Sequence, residues 1–181
     1  MPSPGESPLP DAAPADPALT AEFRRLMSLF ATGVCVVSAP SADHAENGGI
    51  MGMTVNSFVS VSLDPMLVCW SLQNASSQFS GWLETERFAI SILAESQQAV
   101  ARRYAARASS GLIESDFDWS ENGLPVVKGA LARIECRHWA SHPAGDHTMI
   151  LGEVTAMDAP EASDNAAPLG FFRGRFCRVG E

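Results

Sequence analysis

The chain has 181 residues, enough for one domain with a substantial core, and an apolar fraction of 46% typical of a globular protein. Its formal charge is −9, every basic residue except Lys128 is an arginine, and no basic cluster stands out. These features argue against nucleic acid and against an anionic membrane surface as partners.

Residues 1–19, rich in Pro and Ala, read as a disordered tail, and residues 20–181 as the single domain. A helix is expected near Thr20, capped by that residue, with Phe23, Leu26, Met27 and Phe30 as its apolar stripe and Gly33 as its stop. Gly33 to Ser38 is a buried-type strand. It is joined through a polar loop with an Asn47-Gly48-Gly49 turn signal to an antiparallel partner, Gly52 to Asp64. Pro65 ends that strand and Met66–Leu72 is the next. Ser76 to about Glu86 reads as a helix, Phe88–Leu93 as a strand and Glu95–Arg107 as a second helix with Val100 and Tyr104 facing inward. Ser109–Asn122 is polar and irregular, with Phe117 and Trp119 as anchors. Three strand-like stretches close the chain: Ala130–Trp139, Thr148–Met157 and Phe171–Val179. Most connections are too short for parallel crossovers, so the expected fold is mainly β, an antiparallel barrel with helices packed around it. No GxGxxG follows a strand, which argues against a Rossmann sheet.

No apolar run reaches the ~20 residues of a membrane span. No basic region followed by an apolar core stands near the N-terminus. Cys35, Cys69, Cys136 and Cys177 sit singly in apolar runs, as buried free thiols do in a reducing compartment, so the expected location is the cytoplasm.

The Gly52–Asp64 stretch carries the most chemical information. With a period of two, Val55, Val59, Val61 and Leu63 fall on one face, with Ser57 an exception, and Thr54, Asn56, Ser60 and Ser62 fall on the other with Phe58. The polar face has hydroxyls and an amide but no charge. It suits a planar heterocycle with hydrogen-bonding edges, although an ordinary half-solvated strand gives the same alternation. Asn74-Ala75-Ser76-Ser77 leads into a helix, where either serine serves as a cap or the turn seats a phosphate. His147 begins a strand, as a structural residue or as a hydrogen-bonding partner for a carboxamide or a proton step. Phe171 to Phe176 supplies aromatics for a core and arginines able to pair with phosphates. His138 and His142 are four apart, a spacing that does not converge on a strand, and no metal site is expected. No nucleophile motif is present.

Taken in order, Phe23-Arg24-Arg25-Leu26-Met27, Ala31-Thr32-Gly33-Val34, Gly52-Met53-Thr54-Val55-Asn56-Ser57-Phe58, Ser60-Val61-Ser62-Leu63-Asp64-Pro65, Gly145-Asp146-His147, Gly152-Glu153-Val154 and Phe172-Arg173-Gly174-Arg175-Phe176 resemble the short-chain flavin reductase family. The resemblance implies an FMN-binding split barrel, a homodimer, and reduction of FMN or FAD by NADH or NADPH. It implies that Met53, Thr54, Val55, Asn56, Ser57, Phe58, Ser60 and Val61 line the isoalloxazine, and that Asn74, Ala75, Ser76 and Ser77 hold the flavin phosphate. It further implies that His147 lies near the nicotinamide and that Phe172, Arg173 and Phe176 close the pocket. Phe176 departs from a frequent Tyr and Cys35 from a frequent Thr. With no second domain to use reduced flavin, the resemblance implies release to a separate monooxygenase. The alternative is a split-barrel flavoprotein that keeps FMN tightly bound for electron transfer or another reduction.

Overall fold

The computed structural model describes residues 16–41, 49–105, 113–160 and 166–180. The expected tail up to residue 15 and the Asn47-Gly48 turn lie outside the described residues.

Helix α1 spans Pro17–Met27, starting three residues before the expected Thr20. Asp16 is the cap, its Oδ1 accepting from the Ala18 N–H at 2.8 Å, and Pro17 occupies the first turn. An Asp cap followed by Pro outcompetes an internal Thr, whose hydroxyl instead donates to the Asp16 carbonyl at 3.0 Å. The apolar stripe exists, but no residue of α1 is buried, and Phe23 and Phe30 remain 61% and 73% exposed.

Next come β1 (Thr32–Gly33) and β2 (Cys35–Pro40). The apolar run of β2 is buried on both faces: Cys35, Val37 and Ala39 enter the main core, and Val34 and Val36 a second cluster with Leu93, Tyr104 and Phe117. β2 pairs antiparallel with β3 (Ile50–Val55), as the turn signal implies.

The stretch read as one strand is two. β3 stops at Val55, and after Asn56-Ser57-Phe58 the chain begins β4 (Val59–Leu63), which pairs with β5 (Met66–Gln73). With β6 (Arg87–Ile92), β9 (Ala132–Ala144) and β10 (His147–Asp158), the large sheet runs β3-β2-β6-β9-β10-β5-β4 among the described residues. Its two outermost strands are therefore consecutive in the chain. Four residue steps span at most about 14 Å, so the sheet must roll until its edges meet at Asn56–Phe58. The result is a barrel split along that seam. The Ser57 hydroxyl closes it locally by accepting the Ser71 N–H of β5 at 3.0 Å.

Past the seam, β4 is mostly exposed. A bulge between Ser60 and Ser62 interrupts the β4–β5 register. Val59, Val61 and Leu63, read as the apolar face of the strand, are 53%, 53% and 89% exposed. The barrel is filled instead by Trp70, Trp82, Phe88, Ile90 and Ile150, with Trp70 edge-on to Trp82 and Phe88.

Four other expectations are corrected. The helix expected over Ser76–Glu86 is the shorter α2 (Phe79–Glu84), because Ser76–Gln78 form a turn in which Ser76 Oγ accepts from the Gln78 N–H. The second helix starts as a 3-10 turn, Glu95–Gln97, and continues as α3 (Gln98–Ala105); residues 106–112 lie outside the described residues. The supposedly irregular region holds a short hairpin, β7 (Phe117–Trp119) with β8 (Pro125–Val127), in which Phe117 is buried but Trp119 is half exposed. Phe171–Val179 is a hairpin of β11 (Leu169–Phe172) and β12 (Arg175–Arg178), turning at Arg173 and Gly174 with φ of 50° and 72°. Positive φ at both central residues is what a type I′ turn requires, and Arg at the first position hides that signal.

Candidate active site

A cleft of about 420 Å3 opens along the seam of the barrel, within the range of small-molecule sites. One wall is Gly52–Val55 of β3, continued by Asn56 and Ser57. Ser71 and Gln73 of β5, which face the same way on their strand, form the floor. The Ala75–Gln78 turn, Tyr104 and Ala105 at the end of α3, and His147 at the start of β10 complete it. The Thr54 hydroxyl donates to the Ala101 carbonyl at 2.9 Å and so ties α3 over β3.

Two polar networks hold the rim. Asn74 clamps the β9–β10 turn: its N–H donates to the Asp146 carbonyl at 3.0 Å, its side-chain NH2 to the Gly145 carbonyl at 3.2 Å, and its Oδ1 accepts from the Thr148 hydroxyl at 2.9 Å. Gly145 takes φ of 65°, which a glycine adopts without strain. On the opposite side, the buried Tyr104 hydroxyl donates to Asp116 and accepts from the Ile113 N–H at 3.1 Å, while Arg103 pairs with the same carboxylate. Burial, reinforced by the Asp116 contact, pushes the Tyr104 phenol up to about 12, so it stays a neutral donor. His147 Nδ1 lies 2.7 Å from Asp146 Oδ1, and that hydrogen bond, then the histidine's charge, hold the Asp146 carboxyl below the usual range.

The structure brings Met53, Thr54, Val55, Asn56, Ser57, Ala75, Ser76, Ser77 and His147 to this cleft. It places the other expected residues elsewhere. Phe58 is half buried against the barrel core. Ser60 and Val61 are on the exposed β4, past the seam. Asn74 is adjacent, but its carboxamide is engaged at both ends by the turn. Phe172, Arg173 and Phe176 belong to the C-terminal hairpin, where Phe176 packs on Phe171 and under Arg102, and the Arg173 N–H donates to the Ser28 carbonyl. Gly52, Ser71, Gln73, Gln78, Tyr104 and Ala105 line the cleft without having been singled out. Ser71 and Gln73 were open to the same period-of-two reading as β3; Tyr104 was assigned to the core. His138 is occupied by the Thr85 carbonyl and the Ser141 hydroxyl, at 3.0 and 2.8 Å.

The lining offers hydroxyls, carboxamides and strand backbone, and no described lining residue is a Lys, Arg, Asp or Glu. This donor set fits a flat neutral ring with polar edges, as an isoalloxazine is. Residues 27–180 match the model of the flavin reductase-like domain. The chain belongs to the flavin reductase-like family. Among its relatives, the FMN reductase (NADH) SmoA of Agrobacterium fabrum is 44% identical over 158 residues, covering 86% of this chain and 84% of the relative. The NADH-dependent flavin reductase StyB of Pseudomonas fluorescens is 36% identical over 154 residues, covering 85% and 86%. The solved NADH:FAD oxidoreductase SgcE6 of Streptomyces globisporus, in complex with NAD and FAD fragments, superposes with a TM-score of 0.79 at 31% identity, covering 93% of this chain and 98% of that one. SgcE6 shares the split-barrel architecture described above.

Proposed function

We propose that this flavin reductase takes hydride from NADH, delivers it to FMN or FAD in the seam cleft, and releases the reduced flavin to a separate monooxygenase. The observation that carries the proposal is the cleft itself: a ring-sized, uncharged, donor-rich slot on the barrel seam, in a chain of this family. A bound flavin supplies the electron sink. The chain's residues then need only bind, orient and exclude water, which is where proximity catalysis gains its rate. Thr54, Asn56 and Ser57 meet the ring edges, the Ala75–Ser77 turn meets the flavin phosphate, and His147 meets the nicotinamide. Neutral donors at the ring edge favour developing negative charge without a proton-transfer group.

NADH rather than NADPH is supported by the names of SmoA, StyB and SgcE6. Transfer to a partner is supported by similarity to BorF, the flavin reductase component of a bacterial two-component tryptophan halogenase, at 30% identity and a TM-score of 0.78. We assign the enzyme to the nicotinamide-dependent flavin oxidoreductases, acting in the cytoplasm; no helix among the described residues is long and apolar enough to cross a membrane. We also propose a homodimer, because the α1 stripe and the β4 residues Val59, Val61 and Leu63 leave large apolar side chains uncovered among the described residues. The test is a turnover assay: purified protein, NADH and excess FMN or FAD, followed by loss of the reduced-nicotinamide absorbance. Many turnovers of free flavin are expected. A tightly held yellow cofactor with no turnover of added flavin would overturn the proposal in favour of a resident-FMN flavoprotein.

A further inference from the structure

Asp146 is 83% exposed at its side chain, yet its carboxylate is directed at a cleft-lining imidazole across 2.7 Å. An exposed pair of this kind adds little to stability. Its backbone is nevertheless held firmly: the Asp146 and Gly145 carbonyls are both bonded to Asn74, and β10 pairs His147 with Gln73, another cleft residue. The turn thus fixes where the pair stands, and the pair fixes the state of the ring. An ionised carboxylate only accepts hydrogen bonds, so Nδ1 must carry the proton that lies between them. The lowered Asp146 pKa agrees with its being ionised at neutral pH. In the neutral imidazole, Nε2 is then left with a lone pair, the reverse of the tautomer that free histidine prefers.

We propose that Asp146 is a positioning residue that locks His147 in its Nδ1–H tautomer, making Nε2 an acceptor for the carboxamide NH2 of the dihydronicotinamide. This rests on the reading that His147 meets the nicotinamide. It adds a direction to that contact: the protein accepts and the substrate donates. A substrate whose carboxamide NH2 is replaced by methyl loses the donor and meets a lone pair.

Asp146 is largely exposed, so Asp146→Ala and Asp146→Asn should fold like the parent, and thermal melting checks this. Long-range nitrogen–proton correlation NMR at about pH 8, where an imidazole is neutral, should show the Nδ1–H tautomer for His147 in the parent and in Asp146→Asn, whose side-chain oxygen still accepts. It should show mainly Nε2–H in Asp146→Ala. In steady state, Asp146→Ala should raise KM for NADH about five- to tenfold, the loss of one hydrogen bond. It should leave KM for flavin within about twofold, and Asp146→Asn should stay near the parent. Reduced 3-acetylpyridine adenine dinucleotide should bind the parent several-fold more weakly than NADH, with no further loss in Asp146→Ala. An Nε2–H tautomer in the parent overturns the proposal, as does an Asp146→Asn variant as impaired as Asp146→Ala. If His147→Ala raises KM for NADH while Asp146→Ala does not, the positioning role fails alone. If neither substitution moves it, the nicotinamide reading fails with it.

Discussion

Ser76 and Ser77 sit side by side on the turn that closes one end of the cleft, Ser76 half-buried and bonded to Gln78, Ser77 exposed. Replacing both with Ala should raise KM for FMN several-fold more than that for riboflavin, because only the former presents a phosphate. Equal weakening of the two would move the phosphate elsewhere. Other single residues shape stability. Burial pushes the Cys35 and Cys136 thiols from 9.0 to about 12, and the Tyr104 phenol from 10.0 to about 12. All three lose a proton more readily in the unfolded chain. Their contribution is therefore fully present below about pH 9 and is lost as pH rises towards 12, at about 1.4 kcal/mol per pH unit for each thiol. Urea midpoints should fall steeply as pH rises from about 9 towards 12, and Cys136→Ala should flatten that fall; a midpoint that does not move would contradict the assignment. These residues were only partly legible beforehand. Thr54, Asn56, Ser57 and the serine turn announced themselves by polarity in an apolar context. Tyr104, with its Asp116 partner twelve residues away, looked like any core aromatic.

At the scale of elements, the strand periodicities largely held, while the ends and joins did not. β2, β5 and β6 fall where their apolar runs lie. The break after Val55 was invisible because polar–apolar alternation runs straight through it, and past the break Val59, Val61 and Leu63 are left exposed. Gly152 shows how tightly the strands pass. A Cβ there would stand 2.6 Å from Phe88 Cζ and 2.8 Å from Cys136 Cβ, where β10 crosses the barrel core beside β9. Gly152→Ala should therefore cost about 1–3 kcal/mol by overpacking, read as a lower urea midpoint. An unchanged midpoint would mean that the two strands can separate at no cost. Gly152 also follows a register shift in the β9–β10 ladder, so the same substitution should loosen the strand that carries His147.

Across the molecule, two apolar stripes have no cover among the described residues: Phe23, Leu26 and Met27 on α1 with Phe30 just past it, and Val59, Val61 and Leu63 on β4. Among the described residues β4 is also an edge strand, paired with β5 on one side, so it offers free backbone groups as well as side chains. Sedimentation should give a dimer for the parent, and Val61→Lys with Leu63→Lys should shift it towards monomer. A monomeric parent would leave the stripes for some other partner. What the sequence determined by itself was local: which runs are strands or helices, that the thiols are free, and that an uncharged polar stretch, a serine turn and a Gly-Asp-His segment occur in one chain. These are properties of neighbouring residues, and periodicity reports them directly. Only the tertiary structure decided that β3 and β4 are opposite edges of one rolled sheet. The same holds for the exposure of the face read as apolar, and for the meeting of β3, β5, α3 and β10 around one cleft. Periodicity says which side of a strand a residue occupies. What covers that side depends on pairings between segments far apart in the chain, and local alternation does not encode them.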